Sequence, residues 1–184
     1  MTLCIDTERL RLFPLFEKDT EALHVLWTQP DVRQFLWDGE SIPPEQTAEV
    51  VAESERLFRE SGLGLWSAHA DSGSGMIGFC GYWYFHEPPE LQVLYGLSPD
   101  QWGRGLATEA ACAMIRYGFE TLGLKEVIGS TDVPNLASVR VMEKAGMSFQ
   151  KRVSINGLDT LYYRIESILP FRGPHGYRLF ENPG

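Results

Sequence analysis

Leu10 and Leu12 alternate with Arg9 and Arg11, the period of two that marks a half-buried strand, so a strand over 9–13 opens the pattern. Helical periodicity follows over 19–27, briefly over 30–35, and again, beyond the loop 36–44, as a longer helix over 44–61. Strands over 63–70 and 76–83 flank a glycine–serine turn at 72–75. The loop 85–89, with Pro88 and Pro89, leads into a strand over 91–97. A strand over 125–131, a helix over 135–145 ending at Gly146, and strands over 147–153 and 158–168 complete a mixed sheet. Positions 170–184, rich in Gly and Pro, show no clear element. Neither an internal repeat nor a linker marks a second domain, so one domain over 1–184 is expected, its core at about 6–168 and a tail at 169–184.

The helix expected from Leu106 onward is apolar almost all round. At 100° per residue, Glu109, Arg116 and Glu120 share a narrow wedge, while Leu106, Ala110, Ala113, Met114 and Tyr117 lie opposite. Ala111, Ile115 and Phe119 widen the apolar region, which predicts a helix buried against the sheet.

Composition narrows the function. With 184 residues, 43% hydrophobic and 12% aromatic, the chain can bury one good core. No apolar run approaches the ~18 residues of a membrane span, and the N-terminus lacks a signal-peptide pattern. Cys4, Cys80 and Cys112 are an odd number without metal-ligand spacing, which suggests free thiols in a reducing cytoplasm and no metal. A net charge of −9 argues against nucleic acid and suits cationic amines.

The chemistry concentrates in the stretch from Leu97 to Ala110. It reads as a strand end, a turn, and a helix whose first turn holds Gly103 and Gly105. A helix start leaves backbone N–H groups without intrahelical partners, and the macrodipole adds about half a positive charge there. Glycine lets the backbone approach an anion closely, so these residues can capture a pyrophosphate with main-chain amides, Arg104 beside them. The same pattern also serves as plain turn chemistry. A P-loop would need Gly-Lys-Ser/Thr where Leu106, Ala107 and Thr108 follow, and a dinucleotide fold would place its glycines early in the chain.

A second segment, Thr131 to Met147, adds to the first: Thr131-Asp132-Val133-Pro134-Asn135-Leu136-Ala137-Ser138 continues through Val139-Arg140-Val141-Met142 to Gly146-Met147. Together the two segments resemble motifs A and B of the GNAT superfamily of acetyl-CoA-dependent N-acetyltransferases. The likeness is nearest to the branch containing the ribosomal-protein N-terminal (alanine) acetyltransferases, which the opening Thr7 to Leu12 and the runs 65–68 and 77–81 also resemble. It spans roughly 6–168 and is uninformative about the acceptor. It implies a single α/β (α+β) domain with a splayed, mixed, mainly antiparallel sheet of about six to seven strands flanked by helices. It further implies acetyl-CoA as cosubstrate and a primary amine, a peptide N-terminus or a small molecule, as acceptor.

The resemblance places Tyr95, Gly96 and Leu97 where a backbone N–H serves the thioester carbonyl, though ordinary core packing also explains them. It places Trp102, Gly103, Arg104, Gly105, Leu106, Ala107 and Thr108 around the pyrophosphate. Asn135 and Ser138 match positions that contact coenzyme A, with the serine proposed to protonate the departing thiolate. Asn135 equally fits a helix N-cap, with Ser138 at the third helical position. Met142, also expected near the cofactor, stands where many relatives carry a tyrosine acid. Gln92 stands where many carry a glutamate, and an amide cannot take a proton from an ammonium group. Glu90, on the same strand face, is the remaining base candidate, with His86, Glu87 and Asp38 as loop alternatives that also read as solvated surface. Acceptor pockets in the family come from variable loops such as 37–44 and 85–90. The alternative is a catalytically weak acyl-CoA-binding regulatory protein, and the chain is expected as a monomer or homodimer.

Overall fold

A computed structural model describes residues 2–71, 73, 75–86, 88–155, 157–168 and 175–182. The strands are β1 (Thr2–Thr7), β2 (Leu10–Pro14), β3 (Leu65–Ala70), β4 (Met76–Phe85), β5 (Glu90–Leu97), β6 (Glu126–Asp132), β7 (Ser148–Ile155), β8 (Leu158–Glu166) and β9 (Tyr177–Asn182). The helices are α1 (Thr20–Trp27), α2 (Pro30–Arg33), α3 (Pro44–Ser61), α4 (Leu106–Glu120) and α5 (Leu136–Lys144). All nine strands join one sheet in the order β7-β8-β6-β5-β4-β3-β2-β1-β9.

Nine strands replace the expected six to seven, and both extra ones lie at the sheet's far edge. β1 precedes the strand expected to open the chain, and β9 lies in the segment expected to hold no element. The two pair antiparallel from Thr2–Asn182 to Thr7–Tyr177. Neither strand alternates strongly enough to declare itself, and each exists because the other satisfies its backbone. The turn positions 72 and 74 and the tail positions 169–174 and 183–184 lie outside the described residues.

Among the described residues the sheet has one parallel contact, and it positions the site. β5 runs antiparallel to β4 along its length, from Gly78–Leu97 to Phe85–Glu90. Against parallel β6 it meets only at Gln92–Ile128. Beyond that point the two strands diverge, and the β5 amides facing β6 are released from the ladder.

The sheet's two faces carry separate cores. On one, α4 packs with Ala110, Ala111, Met114 and Ile115 against Trp66, Cys80, Tyr82 and Val93. On the other, Leu23, Leu26 and Trp27 of α1 and Val51 of α3 cover Leu65 and Phe79. The expected burial of α4 holds, with one correction: Glu109, placed on the solvent wedge with Arg116 and Glu120, is fully buried. Arg116 and Glu120 do pair on the outside at 2.9 Å. A helical wheel cannot see that the hairpin of β1 and β2 covers the N-terminal end of that wedge.

Candidate functional site

α4 begins at Leu106, so both glycines lie just before the helix and outside its first turn. Gly105 is the N-cap residue with φ +79, and no side chain caps the helix. Gly103 has φ +73, and a Cβ there would meet nothing within 4 Å. Left-handed backbone at both positions is the reason glycine is needed. Residues 102–105 are exposed, whereas Leu106 and Thr108 are buried. The N–H groups of the first turn, without intrahelical partners, follow directly on this exposed turn, an arrangement that can hold an anion.

The hairpin between β1 and β2 braces this turn. The Arg9 guanidinium donates to the Arg104 carbonyl at 2.7 Å and binds Glu109 Oε2 at 2.7–2.8 Å. Glu109 Oε1 accepts from the Thr7 hydroxyl at 2.6 Å and the Arg9 amide at 2.7 Å. Burial pushes the Glu109 carboxyl up, but the hydrogen bonds from Thr7 and Arg9 outweigh it and hold it below the ordinary carboxylate value. Arg104 donates to Gln101 Oε1 at 2.6 Å, and the exposed Trp102 fixes its indole N–H on the Leu97 carbonyl at 2.8 Å.

At the divergence of β5 and β6 lies a cavity of about 530 Å³. Gln92, Val93, Leu94 and Tyr95 of β5 and Ser130, Thr131 and Asp132 of β6 line it, with Met142 and Thr160. Phe35, Leu36, Trp37, Phe79, Phe85 and His86 close the remainder. Trp37 and the pair Phe85 and His86 come from the two loops where the resemblance placed acceptor pockets.

The catalytic candidates divide around this cavity. Asn135 is the N-cap of α5, its Oδ1 accepting from the Ser138 amide at 3.1 Å. Capping geometry is thus present, and both side chains are half-buried. Neither lines the cavity directly, but Ser138 reaches it through Tyr95: the phenol oxygen lies 3.0 Å from Ser138 Oγ and donates to the Ser138 carbonyl at 3.2 Å. Burial pushes the Tyr95 pKa well up, so the phenol remains a proton donor at neutral pH. Sequence reasoning missed this pair. The resemblance directs attention to position 142, on the serine's own helix, whereas the phenol comes from β5 across the divergence. Met142 is buried, its sulfur packed where a side chain at Gly129 would stand.

Gln92 is 2% exposed and fully engaged. Its amide donates to Glu90 Oε2 at 2.8 Å, and its carbonyl accepts from Ser130 Oγ at 2.6 Å. Glu90 is the first residue of β5 and stands behind Gln92, not in the cavity lining. Glu87 and the Asp38 side chain lie outside the described residues. Gly96 and Leu97 continue β5 past the cavity, and Ala107 is half-buried at the start of α4. The structure brings together Tyr95, Ser138, Gln92 and Met142; the glycine turn lies apart from the cavity lining, at the C-terminal end of the same strand.

Residues 9–148 match the model of the acetyltransferase (GNAT) domain, and the chain belongs to that family. It is 31% identical over 156 residues to the FsC-acetyl coenzyme A-N(2)-transacetylase of Aspergillus fumigatus. That alignment covers 78% of this chain and 64% of the relative, so the chain spans about two thirds of that protein. An acetyltransferase structure from Agrobacterium tumefaciens has a TM-score of 0.76 at 26% identity, over 89% of this chain and 94% of that one. A Salmonella typhimurium acetyl transferase that modifies the N-terminal serine of a 50S ribosomal subunit protein has a TM-score of 0.73. At 17% identity over 88% of this chain and 96% of that one, the likeness is one of fold.

Proposed function

We propose that this chain moves an acetyl group from acetyl-CoA to a primary amine by direct transfer, with both substrates bound together. The observation that carries this reading is the uncapped start of α4 beside the exposed turn 102–105, where the amides of Leu106, Ala107 and Thr108 have no intrahelical partner. Residues 102–108 would hold the pyrophosphate, with Arg9 neutralising Glu109, the acidic side chain of that first turn. Acetyl-CoA supplies an activated acetyl group as a thioester.

The remaining work falls to side chains and amides at the cavity. A C–N bond must form and a C–S bond break, one proton leaving nitrogen and one reaching sulfur. Amides among Tyr95, Gly96 and Leu97 that β6 leaves unpaired would stabilise the charge that develops on the carbonyl oxygen. Ser138, held by Tyr95, is the proton donor to sulfur. Gln92 offers no base, so the nitrogen's proton passes to water or towards Glu90, or the amine binds already neutral. Direct transfer is favoured over an acetylated enzyme because the three cysteines are buried and outside the cavity lining. Burial raises Cys4 and Cys112 to about 11 and Cys80 higher still. Their reduced state also fits a cytoplasmic setting.

The deciding experiment follows free thiol release from acetyl-CoA with a panel of amines. Release that depends on both components supports transfer. Binding of acetyl-CoA by calorimetry without release for any amine favours the acyl-CoA-binding regulator. Gly105→Val should weaken acetyl-CoA binding in a protein that still folds, and unchanged affinity would remove the cradle.

A further inference from the structure

The cavity is chemically one-sided. Much of its wall is aromatic, and among the described lining residues there is no Lys or Arg and one carboxylate, Asp132. Two of its residues are also conformationally unusual. Trp37 and His86, at φ +60 and +67, are the non-glycine residues with positive φ among the described residues, and both line this cavity. They sit on separate loops, one after α2 and one after β4. Side chains held in the left-handed region against their preference cluster where a site needs a fixed wall.

That wall is buttressed. The Trp37 ring packs edge-on against Trp27 at 5.5 Å, and Trp27 packs in the same way against Phe79 at 5.6 Å. His86 stands 6.0 Å from the Tyr162 ring. The rings are therefore placed before any ligand arrives, and a preformed aromatic surface favours a flat apolar partner.

We propose that the acceptor is a small arylalkylamine: a primary amine on an aromatic body, carrying no carboxylate or phosphate. This deepens the acetyl-transfer reading and rests on it. The aromatic body beds among Phe35, Trp37 and Phe85, while the ammonium form is received by Asp132 and the ring faces before it loses its proton. An amino acid would bring a carboxylate to a wall that already holds Asp132 and has no Lys or Arg among its described residues. A polyamine would bring several ammonium groups to a lining with one carboxylate among its described residues. A cavity of about 530 Å³ also has the size of a small-molecule site.

The test compares phenethylamine with phenylalanine, which adds only a carboxylate, with spermidine, and with a serine-initiated peptide, each in the acetyl-CoA thiol-release assay. Phenethylamine should exceed each of the others in kcat/KM by at least about 10-fold. Phe35→Ala should raise its KM more than it lowers kcat, and Phe35 is exposed enough (37%) for the fold to survive the change. Trp37→Phe, which keeps a ring, should retain far more activity than Trp37→Ala. Equal or better turnover of phenylalanine, spermidine or the peptide overturns the aromatic acceptor while leaving acetyl transfer standing. Release with no amine at all overturns acetyl transfer instead, and calorimetry with phenethylamine then reads the pocket directly. Binding weakened by Phe35→Ala supports the pocket, and no binding overturns it.

Discussion

Gln92 is the side chain on which the proposed mechanism turns. Its amide is spent on Glu90 and Ser130, so it organises the cavity floor without exchanging protons. On the proposed mechanism, which uses no single strong base, kcat/KM should keep rising with pH towards the free amine's own pKa. A tuned carboxylate or histidine would instead give a plateau near pH 6–7. Replacing Glu90 or His86 singly should cost less than the ~100-fold typical of a lost general base. A neutral plateau abolished by either change would identify a dedicated base. Gln92→Glu would set a second carboxylate against Glu90, and two such groups in contact push one pKa up. That variant should acquire a new limb in its pH–rate profile and lose stability as the pH rises from 5 to 8. An unchanged profile would place Gln92 outside the chemistry. Ser138 and Asn135 separate by the same logic. Asn135→Ala should cost about 1 kcal/mol of stability through the lost cap. Ser138→Ala and Tyr95→Phe should lower kcat with little change in melting temperature, and equal losses in both measurements would reduce the pair to structure.

At the scale of elements, α4 is where sequence reading was strongest and where it failed most instructively. The 3.6-residue pattern located the helix and its burial, and the glycines before it announced left-handed turns. Asn135 three residues before Ser138 announced a cap in the same way. All of these are local signals, written within one turn of backbone. Glu109 was misplaced because its environment comes from Thr7 and Arg9, some hundred positions away in sequence. A separation of 43 positions hid the Tyr95–Ser138 contact in the same way. The buried carboxylate has a measurable consequence. Its folded pKa is depressed, so its stabilisation is present above the ordinary carboxylate pKa and is lost as pH falls through the folded value. Glu109→Gln should therefore cost about 2 kcal/mol at pH 7, the scale of hydrogen bonds to a charged group. The gap to the parent should narrow below about pH 4, in the range where the native carboxyl itself takes up a proton. A gap constant from pH 7 to 3 would mean that the carboxylate charge contributes nothing.

Across the whole molecule, the segment without a sequence-predicted element is tied to the proposed cofactor end of the site by a chain of contacts. β9 pairs along β1, and Tyr177 and Leu179 pack onto the core beneath α4. The Tyr177 ring also receives the Arg116 guanidinium at 4.8 Å. β1 ends at Thr7, whose hydroxyl holds Glu109, and the turn beyond it supplies Arg9 to Glu109 and to the Arg104 carbonyl. A chain ending at residue 168 would keep every expected motif and lose the strand that covers β1. The bare β1 edge, with Cys4 and Ile5 beside it, is an invitation to strand pairing between copies. The truncated protein should lose about 3 kcal/mol or more of stability from the apolar surface alone. It should also self-associate in sedimentation and bind acetyl-CoA more weakly, because the hairpin bracing the glycine turn has lost its outer neighbour. A truncated chain that stays monomeric and melts with the parent would reduce β9 to an ornament of the sheet. Unchanged acetyl-CoA affinity in a destabilised one would cut the link from the tail to the turn while leaving β9 as part of the fold.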